Sequence, residues 1–278
     1  MKRRKFLKKS FYTFFGIGLL TGFYSWQIEP FLLEFVKLKM PIKNLPNHLK
    51  GKTVMQISDI HVGNRVSSKY LKESLQKAQQ YKPDFVVYTG DFVHYESPEQ
   101  LEQLKDVLQY VVKGNIATIG VLGNHDYGKD WKESKVADEI ESILTNHHIQ
   151  ILRNTKKEIE GLQFIGIDDY WGTNFYPNQV MSQLDKEKPS ICLCHNPDVS
   201  DLAIWNNFEG WILSGHTHGG QVKPPFLDPP ILPVKNKRYS SGKIPLSNNR
   251  ILYINRALGY LHQVRLNVKP EITLFELA

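Results

Sequence analysis

Hydrophobic and polar positions along this chain change period several times, and the changes mark out its elements. Over residues 34–45 they alternate one by one, Phe35, Lys37 and Lys39 against Val36, Leu38 and Met40, which predicts a strand stopped at Pro46. Gly51-Lys52 then turns into the apolar run 53–58, a strand whose C-terminal end meets Asp59. Apolar residues next recur at helical spacing. Leu71, Leu75 and Ala78 share one face of a helix predicted over 68–80, with Ser68 placed to cap it. The β-branched and aromatic run 85–89 reads as a second buried strand.

The same alternation predicts helices near 98–111 and 133–146, with strands at 117–122, 150–154 and 162–166. Four more strands are expected at 190–194, 210–213, 250–255 and 271–276. Strand and helix in turn through the first half, and mostly strands through the second, predict an α/β sandwich of mixed β-sheets flanked by helices. No internal repeat or low-complexity tract interrupts it.

The first thirty residues follow neither pattern. Lys2, Arg3, Arg4, Lys5, Lys8 and Lys9 form a basic cluster, and residues 10–28 then run nineteen positions without a charge. That length lies between a signal-peptide apolar region and a full membrane span. Residues 3–8 resemble a twin-arginine export signal, with Lys2 where Ser or Thr is usual. No Ala precedes Ala78, so a small-residue cleavage site is lacking and an uncleaved anchor is expected. The organisation is therefore read as a basic leader and apolar anchor or export signal over 1–30, then one domain over 31–278. The positive flank favours a cytoplasmic N-terminus and a domain on the outer face of the membrane. The alternative is an interfacial helix with the domain on the cytoplasmic face.

Charge adds one exclusion. The chain carries a formal +7, but residues 1–52 hold eleven Lys/Arg against Glu29 and Glu34, a net of +9, which leaves −2 for the remainder. A surface that tracks nucleic-acid phosphates is not indicated there. The two cysteines, Cys192 and Cys194, lie two apart in an apolar run. Strand neighbours of that spacing would strain a disulfide, and small buried core residues are the simpler reading than a thiolate metal site.

Five short segments follow the ends of predicted strands: Asp59-Ile60-His61, Gly90-Asp91, Gly123-Asn124-His125-Asp126, His195-Asn196-Pro197 and Gly215-His216-Thr217-His218. On an extended backbone, Asp59 and His61 point to one side, as do His216 and His218, so each pair is a natural chelate. Glycines before Asp91, Asn124 and His216 allow sharp turns and close approach to an ion or phosphate. Imidazole, carboxylate and amide donors suit Mn²⁺, Fe or Zn²⁺ and argue against a calcium cage.

In this order the segments resemble the signature of the calcineurin-like metallophosphoesterases. The flanks 195–198, 215–221 and 265–272 are similar to a bacterial subgroup with N-terminal anchors, some of whose members act on the lipid A precursor UDP-diacylglucosamine. The resemblance implies a sandwich of two mixed sheets and a dinuclear phosphoesterase at a bacterial inner membrane. Its substrate would be a small or lipid-linked phosphodiester or pyrophosphate. It implies that Asp59, His61, Asp91 and His218 hold one divalent ion and that Asp91, Asn124, His195 and His216 hold a second, with Asp91 shared. The ions would lie ~4 Å apart and acidify water for attack on phosphorus. His125, beside a ligand but not one itself, would stabilise developing charge or protonate the leaving oxygen.

An inactive scaffold on the same fold and a nuclease of the same superfamily are the alternatives; no nucleic-acid partner is expected, and oligomeric state is left open. One position departs from the pattern. Many members carry Asp three residues after the shared Asp to orient the catalytic His, and His94 stands there instead, with Asp126 as a possible substitute. Asp168-Asp169 reads as a turn. The Pro-rich stretch 223–233 reads either as an apolar wall for acyl chains or as a packed connecting loop.

Overall fold

In the computed structural model, which describes residues 2–278, the strand-forming runs assemble into two six-stranded sheets. In chain order the strands are β1 (Glu34–Met40), β2 (Thr53–Ile57), β3 (Phe85–Thr89), β4 (Ala117–Val121), β5 (Gln150–Ile151), β6 (Thr155–Ile159), β7 (Leu162–Gly166), β8 (Ser190–Leu193), β9 (Gly210–Ser214), β10 (Gly242–Pro245), β11 (Arg250–Ile254) and β12 (Glu271–Leu277). The helices are α1 (Lys2–Gln27), α2 (Ser68–Gln79), α3 (Glu99–Leu108), α4 (Ser134–Asn146) and α5 (Asn178–Met181). The first sheet has the order β1-β12-β2-β3-β4-β5 and the second β10-β11-β9-β8-β7-β6. Both are mixed: β2 to β5 are parallel but β12 runs against β2, and β7, β8, β9 and β11 are parallel with antiparallel β6 and β10 at the edges.

Central strands are apolar nearly throughout because both of their faces are covered. Between the sheets, Val54, Phe85, Val87 and Ile119 meet Phe164, Ile191, Leu193 and Trp211. Outside the first sheet, Leu71, Leu75, Leu104 and Ile140 of α2, α3 and α4 close over Met55, Val86 and Tyr88. Outside the second, Val180, Met181, Trp205 and Leu232 cover Cys192, Ile212 and Leu252. Both cysteines are free and buried, and burial pushes the Cys194 thiol up to about 12, so they serve as small core residues. Just below the site the sheets are clasped by Gln56 of β2. Its buried amide nitrogen donates to Ser214 O of β9 and to Thr89 Oγ1, both at 3.0 Å.

The differences from expectation have local causes. β1 ends at Met40, before Pro41, which has no N–H to continue a ladder. The run expected over 150–154 splits near Asn154, which lies at φ +52, so β5 stays in the first sheet and β6 joins the second. β6 and β10 escaped prediction because both are edge strands with little apolar alternation, one rich in lysine and the other ending in proline. The cap of α2 is Ser67 rather than Ser68, accepting from Tyr70 N at 3.4 Å.

The leader forms one continuous helix, α1, through Gly16, Gly18 and Gly22, and no described helix is long and apolar enough to cross a membrane. Its apolar side chains stand free, with Phe14 and Leu20 more than 70% exposed. Its root is tied into the body. Arg265 N donates to Ser25 O (2.8 Å), Gln263 Nε2 to Trp26 O (3.1 Å), and Val268 N to the buried carboxylate of Glu29 (2.6 Å).

Asp84, at the mouth of β3, joins that strand to β2 by accepting from Thr53 N (2.9 Å), Thr53 Oγ1 (3.1 Å) and Lys52 Nζ (2.9 Å). Burial pushes its carboxyl up, but these donors outweigh burial and hold it below the usual range. Because the folded value is the lower one, the stabilisation is complete above pH ~4 and is lost as pH falls through the folded value. Asp84→Asn is expected to cost on the order of 1–2 kcal/mol at pH 7 in urea unfolding. The gap from wild type should close toward pH 3, and a gap independent of pH would show that the carboxylate charge contributes nothing.

Candidate metal centre

Five turns at the C-terminal ends of β2, β3, β4, β8 and β9 open onto one point between the sheets. The chain folds back sharply there. Asp59, His61, Asp91, His216 and His218 all lie in the left-handed region, at φ +51, +49, +53, +70 and +52. Chelation by Asp59 and His61, and by His216 and His218, therefore comes from left-handed turns and not from the extended alternation expected of a strand. Backbone strain of this kind costs about 1–3 kcal/mol per residue and persists where the surroundings over-determine it. Here they do: Asp59 N donates to Gly90 O (2.9 Å) and His61 N to Asp91 O (3.0 Å). Two glycines are required by space. A Cβ on Gly123 would strike the Asp91 carboxylate, and one on Gly215 would strike Ser58 Oγ and the Asp59 carboxylate.

All seven expected ligands are buried, and six of them, Asp59, His61, Asp91, His195, His216 and His218, come together in two groups. On one side His61 Nε2 lies 3.0 Å from His218 Nε2, which lies 3.2 Å from Asp59 Oδ1. On the other His195 Nε2 lies 3.2 Å from His216 Nδ1. Asp91 stands between, its Oδ2 3.5 Å from His61 Nε2 and 3.1 Å from His195 Nε2, while Oδ1 accepts from His125 N (2.9 Å). Asn124 Oδ1 is buried with no hydrogen-bond partner.

Tautomers follow from the outer partners. Three of the four imidazoles turn their other nitrogen to an oxygen that can only accept: His195 Nδ1 to Thr89 O (2.7 Å), His216 Nε2 to Pro233 O (3.0 Å) and His218 Nδ1 to Gln221 Oε1 (3.1 Å). Each outer nitrogen carries the proton, so in the neutral ring the inner one presents a lone pair to another lone pair or to a carboxylate. Donors held by one ion at about 2.1 Å stand roughly 3.0–3.4 Å apart, so these separations and this donor set fit a pair of divalent ions. Electrostatics agree in sense. Burial pushes His195 down, but Asp91, Asp59 and Asp169 outweigh it and raise its affinity for positive charge. Burial also pushes Asp91 up, yet His195, His125 and His61 hold it well below the usual carboxylate range.

His125 sits on the 3₁₀ turn Asn124–Tyr127, half-buried, its ring centroid 5.1 Å from that of His61 and 4.6 Å from that of His94. Asp126 does not orient that ring. Its two oxygens accept from Gly123 N (2.9 Å) and Val93 N (3.1 Å), which pins the turn instead. His94 packs on His125, with Glu96 3.5 Å from its Nε2, and burial with the nearby His125 lowers it to about 4. At neutral pH it supplies no charge, and among the described residues no carboxylate is hydrogen-bonded to the His125 ring. Asp168 and Asp169 build a turn: Asp168 accepts from Arg153 Nε (2.8 Å), and Asp169 Oδ2 accepts from Trp171 N (2.7 Å) and Gly172 N (2.9 Å).

Sequence reading missed three residues. Gln221 uses its whole amide: Oε1 meets His218 and accepts from Leu261 N (2.8 Å), and Nε2 donates to His262 O (2.9 Å) and Val264 O (3.1 Å). Trp131 and Trp171 stand at the mouth, the first near His125 and the second against His216. A tryptophan in a polar loop was the available signal for both.

Residues 52–220 match the calcineurin-like phosphoesterase family. Along its whole length the chain is 30% identical to the uncharacterized metallophosphoesterase YkuE of Bacillus subtilis, covering 98% of it, and 27% identical to the phosphodiesterase YaeI of Escherichia coli, covering 99%. It is 26% identical to the UDP-2,3-diacylglucosamine pyrophosphatase LpxG of Chlamydia trachomatis, over 94% of each chain. A solved dimetal phosphatase from Danio rerio aligns with 75% of the chain, and the chain covers 88% of it, at a TM-score of 0.48 and 11% identity.

Gln221→Leu removes the oxygen that fixes the His218 tautomer. Outer partners of this type support affinity by roughly tenfold to a hundredfold, and a loss of that size in Mn²⁺ affinity is expected in calorimetric titration. Unchanged affinity would mean that His218 needs no such support.

Proposed function

The chain belongs to the calcineurin-like phosphoesterase family and is a metal-dependent phosphohydrolase, and from that premise we propose that it cleaves a phosphodiester or pyrophosphate bond in a membrane lipid precursor. In this reading Asp59, His61, Asp91 and His218 hold one Mn, Fe or Zn ion and Asp91, Asn124, His195 and His216 hold the second. The observation that carries it is the position of Asp91 Oδ2, 3.5 Å from His61 and 3.1 Å from His195, between two groups of inward-facing nitrogens. Bound divalent ions supply positive charge that binds phosphate oxygens and acidifies water. Main-chain carbonyls and side chains of the protein do the rest. Thr89, Pro233 and Gln221 keep the outer imidazole protons in place. Asp91 Oδ1 fixes the His125 backbone, and His125 donates its ring N–H to the departing oxygen.

The lipid part of the reading rests on a groove of about 180 Å³ that shares His216 and His218 with the metal centre. Val222, Ile231, Leu261 and Val264 line it, and nearly all of its lining surface is apolar. Past it Phe226 and Leu227 are open to solvent, as is Ile231 at its rim, so part of the 223–233 stretch is wall and part is exposed apolar loop. The loop carrying Leu261 and Val264 continues to Gln263, Arg265 and Val268, which hold the root of α1. Groove, exposed loop and helix root are thus continuous. We read residues 1–30 as the membrane attachment and 31–278 as the catalytic domain, on the outer face of a bacterial inner membrane. In a second reading α1 meets the membrane surface end first, its basic N-terminal turns on anionic headgroups and its apolar stretch among acyl tails.

With Mn²⁺ and bis-p-nitrophenyl phosphate, turnover should depend on metal and vanish in Asp91→Ala; equal rates in the two proteins would refute the site. His125→Ala should retain bound metal and lose roughly 10²–10⁴ in kcat. Its loss should be greater for alkyl esters than for nitrophenyl esters, whose leaving group needs no proton, and an equal loss would reassign His125 to charge stabilisation. The protein should float with vesicles containing anionic lipid, and a Phe14→Asp, Leu20→Asp double variant should remain in solution; flotation of both would remove α1 as the attachment.

A further inference from the structure

The imidazoles of the centre are not equally provided for. His195, His216 and His218 each turn their outer nitrogen to an oxygen. His61 instead directs Nε2 toward His218 and Asp91 and leaves Nδ1 buried, with no hydrogen-bond partner among the described residues. His94 repeats the pattern beside it. Glu96 Oε1 lies 3.5 Å from its Nε2 and is itself held by Arg65 (3.2 Å), while its Nδ1 is buried and unpartnered. Polar atoms left bare in a dry interior are costly, and a cluster of them points to a ligand that they share.

One ring nitrogen from each of His61, His94 and His125 lies within 4.8 Å of the other two. The backbone brings the three rings together. His94 N donates to Val62 O (2.8 Å), the residue after His61, and His125 N donates to Asp91 Oδ1 (2.9 Å). The His94 ring centroid stands 4.6 Å from that of His125 and 5.9 Å from that of His61. His94 and His125 are only half-buried, so this side of the cluster is open to solvent. Three imidazoles form a borderline-soft donor set that favours Zn²⁺ over Mn²⁺ or Mg²⁺. The carboxylate behind His94 is the outer partner that zinc-bound histidines commonly have. The set exists here because His94 stands where Asp is usual, and an aspartate would leave only two imidazoles.

We propose that His94, His125 and His61 form a third cation site, selective for Zn²⁺, whose occupancy switches hydrolysis off. The proposal rests on the phosphohydrolase reading, in which His61 is a ligand and His125 the proton donor. Two divalent ions lie close by in that reading, and their repulsion makes the third the most weakly held, so the site fills only when zinc is in excess. An imidazole that gives one nitrogen to a cation keeps a single N–H and no longer acts as an imidazolium acid. The departing oxygen then leaves without its proton, and esters with poor leaving groups suffer most.

Binding and rate test the site separately on full-length protein. In equilibrium dialysis against excess Zn²⁺, wild type should retain three ions per chain and His94→Phe two, since phenylalanine keeps a ring against His125 but offers no nitrogen. His94→Cys restores a zinc donor and should recover the third ion. In the rate assay, Zn²⁺ added to Mn²⁺-loaded wild type should inhibit a dialkyl phosphate, followed by the alcohol released, more than bis-p-nitrophenyl phosphate. His94→Phe should lose that inhibition and His94→Cys should keep it. Equal zinc content in wild type and His94→Phe, or equal inhibition of the two, would overturn the proposal. No turnover of either ester by Mn²⁺-loaded wild type would defeat the underlying reading and the switch with it, while the difference in zinc content would still decide the site.

Discussion

Around Asp91 the protein buries groups that cannot satisfy one another. Two carboxylates and four imidazoles meet within hydrogen-bond distance, and in the neutral rings of His195, His216 and His218 the inward nitrogens are lone pairs, because the outward ones donate to Thr89, Pro233 and Gln221. Lone pair against lone pair in a dry interior is costly unless positive charge lies between them. Divalent ions answer that demand, and their affinity is then part of the folding free energy of the turns that present the ligands.

The demand explains the backbone. Five expected ligands occupy left-handed conformations, and Gly123 and Gly215 stand where any side chain would strike a carboxylate. Such turns are unfavourable alone, and they are held by hydrogen bonds between neighbouring strand ends, such as Asp59 N to Gly90 O and Gly215 N to His195 O. Parallel strands are what bring those ends to one edge of each sheet, and Gln56 clasps the two edges together. The fold serves the site by aligning strand ends, and the strain is confined to the residues that use it.

Around this centre the surroundings divide by chemistry. The Trp131–Trp171 stack and the groove beside His218 both border His216, one flat and aromatic, the other apolar. The groove's loop also anchors α1, and Gln221 links that loop to His218 through Leu261, His262 and Val264. The root of the exposed apolar helix and the His218 imidazole are therefore both held, directly or through Gln221, by the loop 261–268.

Periodicity and motif order were sufficient for the α/β class, the central strands and the three covering helices, and they named six residues that meet around one point. Apolar runs and ordered His and Asp motifs are local properties that the chain carries in one dimension. Edge strands β6 and β10 were not legible, because their pairing is decided by a neighbour and not by their own pattern. Nor was the means of chelation: the sequence suggested extended alternation, and the structure uses left-handed turns imposed by bonds from other strands. The failure of Asp126 to reach His125 and the pairing of Trp131 with Trp171 depend on where separate loops meet. Sequence by itself determined which donors this protein has and the order in which they come. Only tertiary structure decided which way they face, because direction at a strand end is set by contacts with residues far away in the chain.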